Sequence, residues 1–522
     1  MIPEEHHKVA IIGAGPGGIQ LAYLLSQAGI DCVLVERNSG PGSFFEQFPV
    51  HRKLLSINKV NTGFTDHVKN LRWDWNSLLV DDPSLRLGKY DDRFFPHADS
   101  LLRYLRDVCQ HIEGITKFDC EVLSISRQDR GFRMQTNGVA LTCDVLVVAT
   151  GMPKEHVPAI PGIELVEKYG THDRTPDGFL NKDVLILGKG NSAFETADDI
   201  LPFAARIHLI SPARLRHASE THFPGHLRQI NSPFVETFLL KQQNAVLNGS
   251  IQSITKEGDR YGVDITWAEN GLKAHFLYDR VIACTGFVMD LAPFDSTVTP
   301  ETLYDGKLPA LTAEWESRNV AGMYFCGALM QSNDYKKSAS AFIHGMRYNA
   351  ATLANLLAEK LGVREFPSRI IGLEVEGVLD AIYERIRRSS SLWHLHGSLC
   401  DAYVYDHARK AFRQVKDVPA KLLAESPEYS MSTRIEFCFT FENPADPVER
   451  EKFSPGGLLH PALRFFAEGE QIDECHMYED VYAEWEQSEF AFCFRKPLSR
   501  FVAAISAAIV SSQGSPAVVG DR

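Results

Sequence analysis

Two short glycine-rich turns, 175 residues apart, constrain this chain more than any other feature. The first lies in VAIIGAGPGGIQLAYLL, residues 9–25, and the second in DVLILGKGNSAFETADDI, residues 183–200. In each, an apolar strand-like run enters a GxGxx(G/A) turn and a helix-like run leaves it. Gly13, Gly15 and Gly18 carry the spacing in the first. The first glycine permits a tight turn, the second lets the backbone approach a pyrophosphate, and the third lets helix and strand pack closely. The helix start then offers unpaired N–H groups and a positive dipole end to phosphate. DCVLVE, residues 31–36, completes a βαβ unit, and Glu36, 23 residues after Gly13, stands where a carboxylate accepts both ribose hydroxyls.

The second turn repeats this grammar with one change. Gly188 and Gly190 are followed by Asn191, Ser192 and, at the third position, Ala193. The next strand ends at Ser211, again 23 residues after the first glycine, and Arg214 and Arg216 follow where an acid would stand. A hydroxyl and guanidinium groups hold a 2′-phosphate that a carboxylate would repel. The first site therefore reads as FAD or NAD and the second as NADP. Matching strands, VLVVATG ending at Gly151 and RVIACTGF with Gly286, close the two units. The pair implies a bound flavin and a nicotinamide that reduces it. A third segment, residues 322–357, has strand character up to Gly327, then a loop with Asp334, Tyr335, Lys336 and Ser338, then a long helical run. In two-dinucleotide flavoproteins such a helix points its N-terminus at the flavin pyrimidine. Residues 38–105, dense in Phe, Trp, Arg and Asn, are expected to line the flavin ring.

These features predict an α/β fold of two Rossmann-like dinucleotide-binding domains with a C-terminal α+β extension. The FAD domain is expected over 1–160 and 310–360, the NADPH domain over 161–309, and the extension over 361–505. Within the extension, 378–388 reads as helix, and RIEFCFTF (434–441) and LLHPALRFF (458–466) read as strand. It is expected to cap the body or mediate assembly, which leaves a homo-oligomer open. Residues 506–522 are expected to form a disordered tail. The net charge of −13 argues against a nucleic-acid groove or an anionic membrane surface. No apolar run reaches membrane-spanning length, and the first residues enter a strand with no signal segment. The ten cysteines are scattered singly with no CxxC, as expected of reduced thiols in a cytoplasmic protein.

The two turns in this order, with their closing strands, resemble the class B flavin monooxygenase superfamily over residues 8–357. A closer likeness is carried by GSFFEQFPVHRKLLSINK (42–59), LRWDWNSLL (71–79), GKGNSAFETA (188–197), the THF-G-LR-IN run (221–231), NDYKKSASAFIHGMRY (333–348) and LLHP (458–461). These segments resemble the FAD-dependent oxidoreductase domain family typified by the endoplasmic-reticulum flavoprotein associated with degradation. The chain lacks that relative's signal peptide and KDEL-like terminus, so a cytoplasmic relative is expected.

The resemblance implies FAD and NADPH as cofactors, with O2 and a small nucleophilic substrate as partners. Asn58 matches the superfamily's active-site asparagine, and Lys59 and Asp74 share the catalytic expectation. Arg52, Lys53 and Trp75 are flavin-side candidates, and Lys336 and Ser338 stand at the third segment. His172 lies at the superfamily's distance before the second turn, but Lys168 replaces the glycine of that fingerprint. His222 and His226 are separated by Pro224 and Gly225, which argues against a metal pair, and no metal is expected. The polar mixture of Arg52, Lys53 and Asp74 favours the nitrogen of an amine or amino acid as oxygen acceptor. The alternatives are oxygenation at sulfur or insertion beside a ketone, and a flavoprotein that does not oxygenate. A flavin disulfide reductase would need a dithiol beside the flavin, which no CxxC supplies.

Overall fold

The computed structural model describes residues 4–240, 243–454, 457–485 and 488–513. The chain divides into two units, Met1–Asn61 with Trp73–Ala350, and Thr62–Arg72 with Ala351–Arg522.

In the first unit the strand Glu4–Ile12 runs parallel to Cys32–Val35 on one side and to Ala140–Val148 on the other. Val9 stands opposite both Cys32 and Val145, and Met323–Phe325 adds a further parallel strand beside Ala140–Val148. Val9, Ala10 and Ile11 are wholly buried, as parallel strands covered on both faces must be, which is why they read as an unbroken apolar run. The antiparallel pair Val122–Arg127 and Phe132–Thr136 completes this seven-stranded sheet, together with the short edge strand Thr116–Lys117.

A second seven-stranded sheet repeats the plan. Asp183–Leu187 lies between Arg206–Ser211 and Arg280–Ala283, all parallel. Ala245–Glu257, Arg260–Trp267 and Lys273–Tyr278 extend it beyond Arg206–Ser211. Both Rossmann-like sheets expected from the glycine turns are thus present, and both lie in one compact unit.

The second unit is built on a six-stranded antiparallel sheet. Its order is Ser368–Ile371, Ala411–Pro419, Leu399–Asp406, Arg434–Thr440, His460–Ala467, Glu470–His476. Every residue of Arg434–Thr440 is buried. The helix expected at 378–388 occupies Val375–Arg388. The tail expected from 506 onward is in part helix, because Ser488–Gln513 continues through it. Phe501, Val502 and Ile505 recur at helical spacing and are buried, so the periodicity of FVAAISAAI outweighs its position near the terminus. Residues 514–522 lie outside the described residues.

The segment 62–72, expected inside the FAD domain, belongs to this second unit instead. Its anchor is Arg72, 1% exposed. Its Nε donates to the Ser389 carbonyl at 3.0 Å and its Nη2 to the Ile386 carbonyl at 2.5 Å. These carbonyls end the helix Val375–Arg388 and have no partner within it. The guanidinium also lies 4.7 Å from the Trp393 ring. Asp66 pairs with Arg388 at 2.6 Å, and the Ser390 hydroxyl donates to the Val68 carbonyl at 3.1 Å. Arg72→Met keeps the apolar stem but leaves buried carbonyls without donors. It should lower the stability of the second unit by about 3 kcal/mol, read as a lower calorimetric transition. An unchanged thermogram would mean that the segment is held by its other contacts.

Candidate active site

The two turns are built alike at the level of backbone contact. Gly13 has φ +105°, and a Cβ on it would stand 2.8 Å from the Ala149 carbonyl oxygen of the closing strand. Gly188 has φ +124°, and its Cβ would stand 2.2 Å from the Cys284 carbonyl oxygen. Gly18 packs against the Gly13 carbonyl rather than facing a ligand. Gly15 and Gly190 differ from these three: nothing lies within 4 Å of a Cβ at either. Each immediately precedes a helix, Pro16–Gln27 and Asn191–Ile200, and neither helix start has a side-chain cap. Open space before an uncapped helix N-terminus fits a pyrophosphate. The residues present therefore fit a dinucleotide at both turns.

Both turns open into one cavity of about 1410 Å³. Of the sequence-predicted residues, Gly13, Gly15, Glu36, Lys53, Gly151, Gly188, Gly190, Asn191, Ser192, Ser211, Gly286, Gly327 and Lys336 line it. Glu36 is 5% exposed, and its two oxygens accept from the backbone N–H of Ala14 at 2.8 Å and of Asn38 at 3.1 Å. The turn itself thus orients the carboxylate expected to hold ribose.

The remaining candidates are not among the lining residues. Asn58 is buried and donates its amide to the Asp91 carbonyl at 2.5 Å, and Lys59 is exposed. Asp74 accepts from the backbone N–H of Asn76 and Ser77 at 3.1 and 2.9 Å, so it serves as a turn cap. Trp75 stacks on His344, centroids 4.1 Å apart. Arg52, at φ +60°, turns its guanidinium to Asp99 and the Glu46 carbonyl. Ser338 is buried and donates to Asp334. Arg214 is exposed beyond the strand end. His172 donates from Nδ1 to the Tyr169 carbonyl, 2.8 Å away, and burial lowers its pKa.

Three features escaped the sequence reading. Asn76, 1% exposed, lines the cavity. Its Nδ2 donates to the carbonyls of Ser56 and Ile57 at 3.1 and 3.2 Å, and its Oδ1 has no partner among the described residues. Phe44, Phe48, Tyr169 and Phe287 form an aromatic wall, with Phe48 stacked on Tyr169 at 5.7 Å and edge-on to Phe287 at 4.8 Å. Glu195 lies on the buried side of Asn191–Ile200, 7% exposed, among Phe194, Thr196 and Ala197. An acid on the apolar side of a nucleotide helix was the available signal. One oxygen is 3.5 Å from the Tyr169 hydroxyl, and Oε1 has no partner among the described residues. Burial pushes its pKa up to about 7, opposed by Asn231 and Lys53.

Two Rossmann-like sheets sharing one cavity define a flavoprotein oxidoreductase of the two-dinucleotide class. The family described as pyridine nucleotide-disulphide oxidoreductase matches residues 10–327. FAD-dependent oxidoreductase domain-containing protein 2 of Mus musculus is 32% identical, covering 80% of this chain and 68% of its own. The Danio rerio protein of that name is 30% identical, covering 95% and 83%. The chain belongs to this FAD-dependent oxidoreductase domain family, as its motif segments led one to expect. A flavin-containing monooxygenase from Stenotrophomonas maltophilia superposes on 68% of this chain and 99% of its own, with TM-score 0.54 and 18% identity, a likeness of fold. Among the described residues no helix is long and apolar enough to cross a membrane.

Gly15→Val fills the first cradle and should give colourless protein. Gly190→Val should keep the flavin but abolish its reduction by NADPH, while dithionite still reduces it; loss of flavin from the second variant would reverse the two assignments. For Glu195, a folded pKa raised from 4.5 to about 7 means that the folded state holds a proton which the unfolded state has released. Stability therefore falls as pH rises through that window, by about 3 kcal/mol in total. Glu195→Gln should raise the melting temperature at pH 8 far more than at pH 5. An equal shift at both would mean that the carboxyl titrates normally.

Proposed function

We propose that this protein is an FAD- and NADPH-dependent monooxygenase that transfers one oxygen atom of O2 to the nitrogen of a small polar amine or amino acid. The observation that carries the reading is the one cavity into which both glycine turns open, walled by aromatic rings and with its lining cysteines, Cys120 and Cys284, outside any disulfide. Hydride acceptance and O2 activation are the chemistry that FAD supplies when bound.

The chain's own residues do the rest. The two uncapped helix starts hold pyrophosphates, and Glu36 holds a ribose. Ser211, where an acid would otherwise stand, admits the 2′-phosphate of NADPH. The wall of Phe44, Phe48, Tyr169 and Phe287 excludes water from the reacting atoms. Asn76 replaces Asn58 in the role of the active-site amide. A buried acceptor left unpaired costs about 1–3 kcal/mol, and a donor on the bound ring or substrate would satisfy Oδ1. Glu195, poised near pH 7, can hold or release a proton inside the cavity.

The family description also raises disulfide reduction as a second reading. That reaction needs a thiolate, since the thiol itself is not the nucleophile. Cys284 lines the cavity, but burial pushes its thiol up to about 12, and burial raises Cys120 as well. Cys120 adjoins the first turn's sheet and Cys284 the second's, so they do not form a local pair.

With 18O-labelled O2, NADPH and a panel of small amines, the product should carry one labelled atom. Complete recovery of the consumed oxygen as H2O2 would remove the monooxygenase reading. Asn76→Ala should leave flavin reduction by NADPH intact while H2O2 release rises about tenfold, the worth of one lost hydrogen bond.

A further inference from the structure

The hairpin Thr302–Leu303 and Leu308–Pro309 turns through Tyr304 and Asp305, each at φ +57°, and Gly306 at φ +80°. The residue that follows this turn, Lys307, is half-buried and lines the large cavity. Its Nζ lies 5.8 Å from the centroid of the Tyr335 ring, and the Nζ of Lys336, also on the cavity wall, lies 5.0 Å from the same centroid. Tyr304 packs its ring on Tyr335 at 4.2 Å. Two ammonium groups thus converge on one aromatic platform.

The Lys307 backbone N–H donates to the Tyr304 carbonyl at 3.2 Å, but its ammonium makes no ion pair or hydrogen bond among the described residues, and burial pushes it below the ordinary lysine range. Five acids line the cavity, Glu36, Glu46, Glu121, Glu195 and Asp290, and none forms an ion pair with Lys307 among the described residues. Asp290 pairs with Lys154 at 2.6 Å, Glu36 accepts from two backbone N–H groups, and burial keeps Glu195 largely protonated below pH 7. A partly desolvated ammonium with no protein counter-charge is costly and is relieved by an anionic ligand. The two pyrophosphate cradles are helix N-termini elsewhere in the sequence, and neither needs this pair.

We propose that Lys307 and Lys336, seated on Tyr335, form a subsite for the carboxylate of the substrate, so that the favoured substrates are amino acids rather than simple amines. This rests on the reading of the cavity as a substrate-oxygenating site. It adds a specificity-determining residue, Lys307, that the sequence motifs did not single out.

The test measures binding to FAD-loaded protein with the flavin oxidised and NADPH absent, through perturbation of the flavin spectrum. The probes are 4-aminobutanoate, 5-aminopentanoate and 6-aminohexanoate, each against the amine that lacks its carboxylate. At least one carboxylate should bind about tenfold tighter than its amine, the worth of one well-placed charge pair. Lys307→Met should abolish that preference while leaving amine binding, FAD content and NADP+ affinity unchanged, and Lys307→Arg should retain most of it. The proposal is overturned if no carboxylate perturbs the flavin, if carboxylate and amine bind alike, or if Lys307→Met weakens FAD or NADP+ binding instead. Tight carboxylate binding followed by no oxygen transfer would remove the oxygenase reading and leave the subsite standing.

Discussion

Much of the first unit depends on two places where backbone meets backbone with no room for a side chain. At Gly13 the carbonyl of Ala149 occupies the space of a Cβ, and at Gly188 the carbonyl of Cys284 does the same. In both, the closing strand lies directly against the glycine turn, and this fixes where the following helix starts. The helix start then faces the cavity uncapped. A larger residue at either position would push the closing strand away and move the phosphate cradle with it. The cavity's location is therefore a consequence of chain packing, settled before any ligand arrives.

This explains which parts of the site were legible in the sequence. Gly15, Glu36, Gly190 and Ser211 are tied to the turns by fixed local spacing, and the structure places all four on the cavity wall. The flavin-side segment obeys no such local rule. Lys53 lines the cavity while its neighbour Arg52, at φ +60°, turns away to Asp99. Asn58 and Asn76 lie on two segments bridged at Asn58 and Asp74, and the first amide donates to the Asp91 carbonyl while the second meets the cavity. No local spacing in the sequence distinguishes the two asparagines. Glu195 was overlooked for a related reason: an acid in NSAFETADDI reads as a solvent-facing helix position until the neighbouring side chains bury it.

The cavity also shows how one acidic protein can hold ligands of negative charge. The net charge is −13, yet two uncapped helix N-termini and Lys53, Lys189, Lys307 and Lys336 stand on the cavity wall. Of the five acids there, Asp290 is paired with Lys154 and burial keeps Glu195 largely protonated below pH 7. Local desolvation and backbone dipoles govern the interior field, while the surface carries the net charge.

The excursion at 62–72 has a consequence for biosynthesis. Arg72 finds its carbonyl partners 314 and 317 residues further along the chain. At about 5–20 residues per second, a ribosome takes roughly 15 to 60 seconds to make that stretch. Throughout that interval the first unit's sequence carries an inserted strip whose binding site has not yet been made. The two units are therefore not a simple head and tail that could be separated by one cut after Ala350. Such a cut would split the helix Ile343–Lys360, leave the front piece with an orphaned strip, and deprive the rear piece of the donor that closes the end of Val375–Arg388.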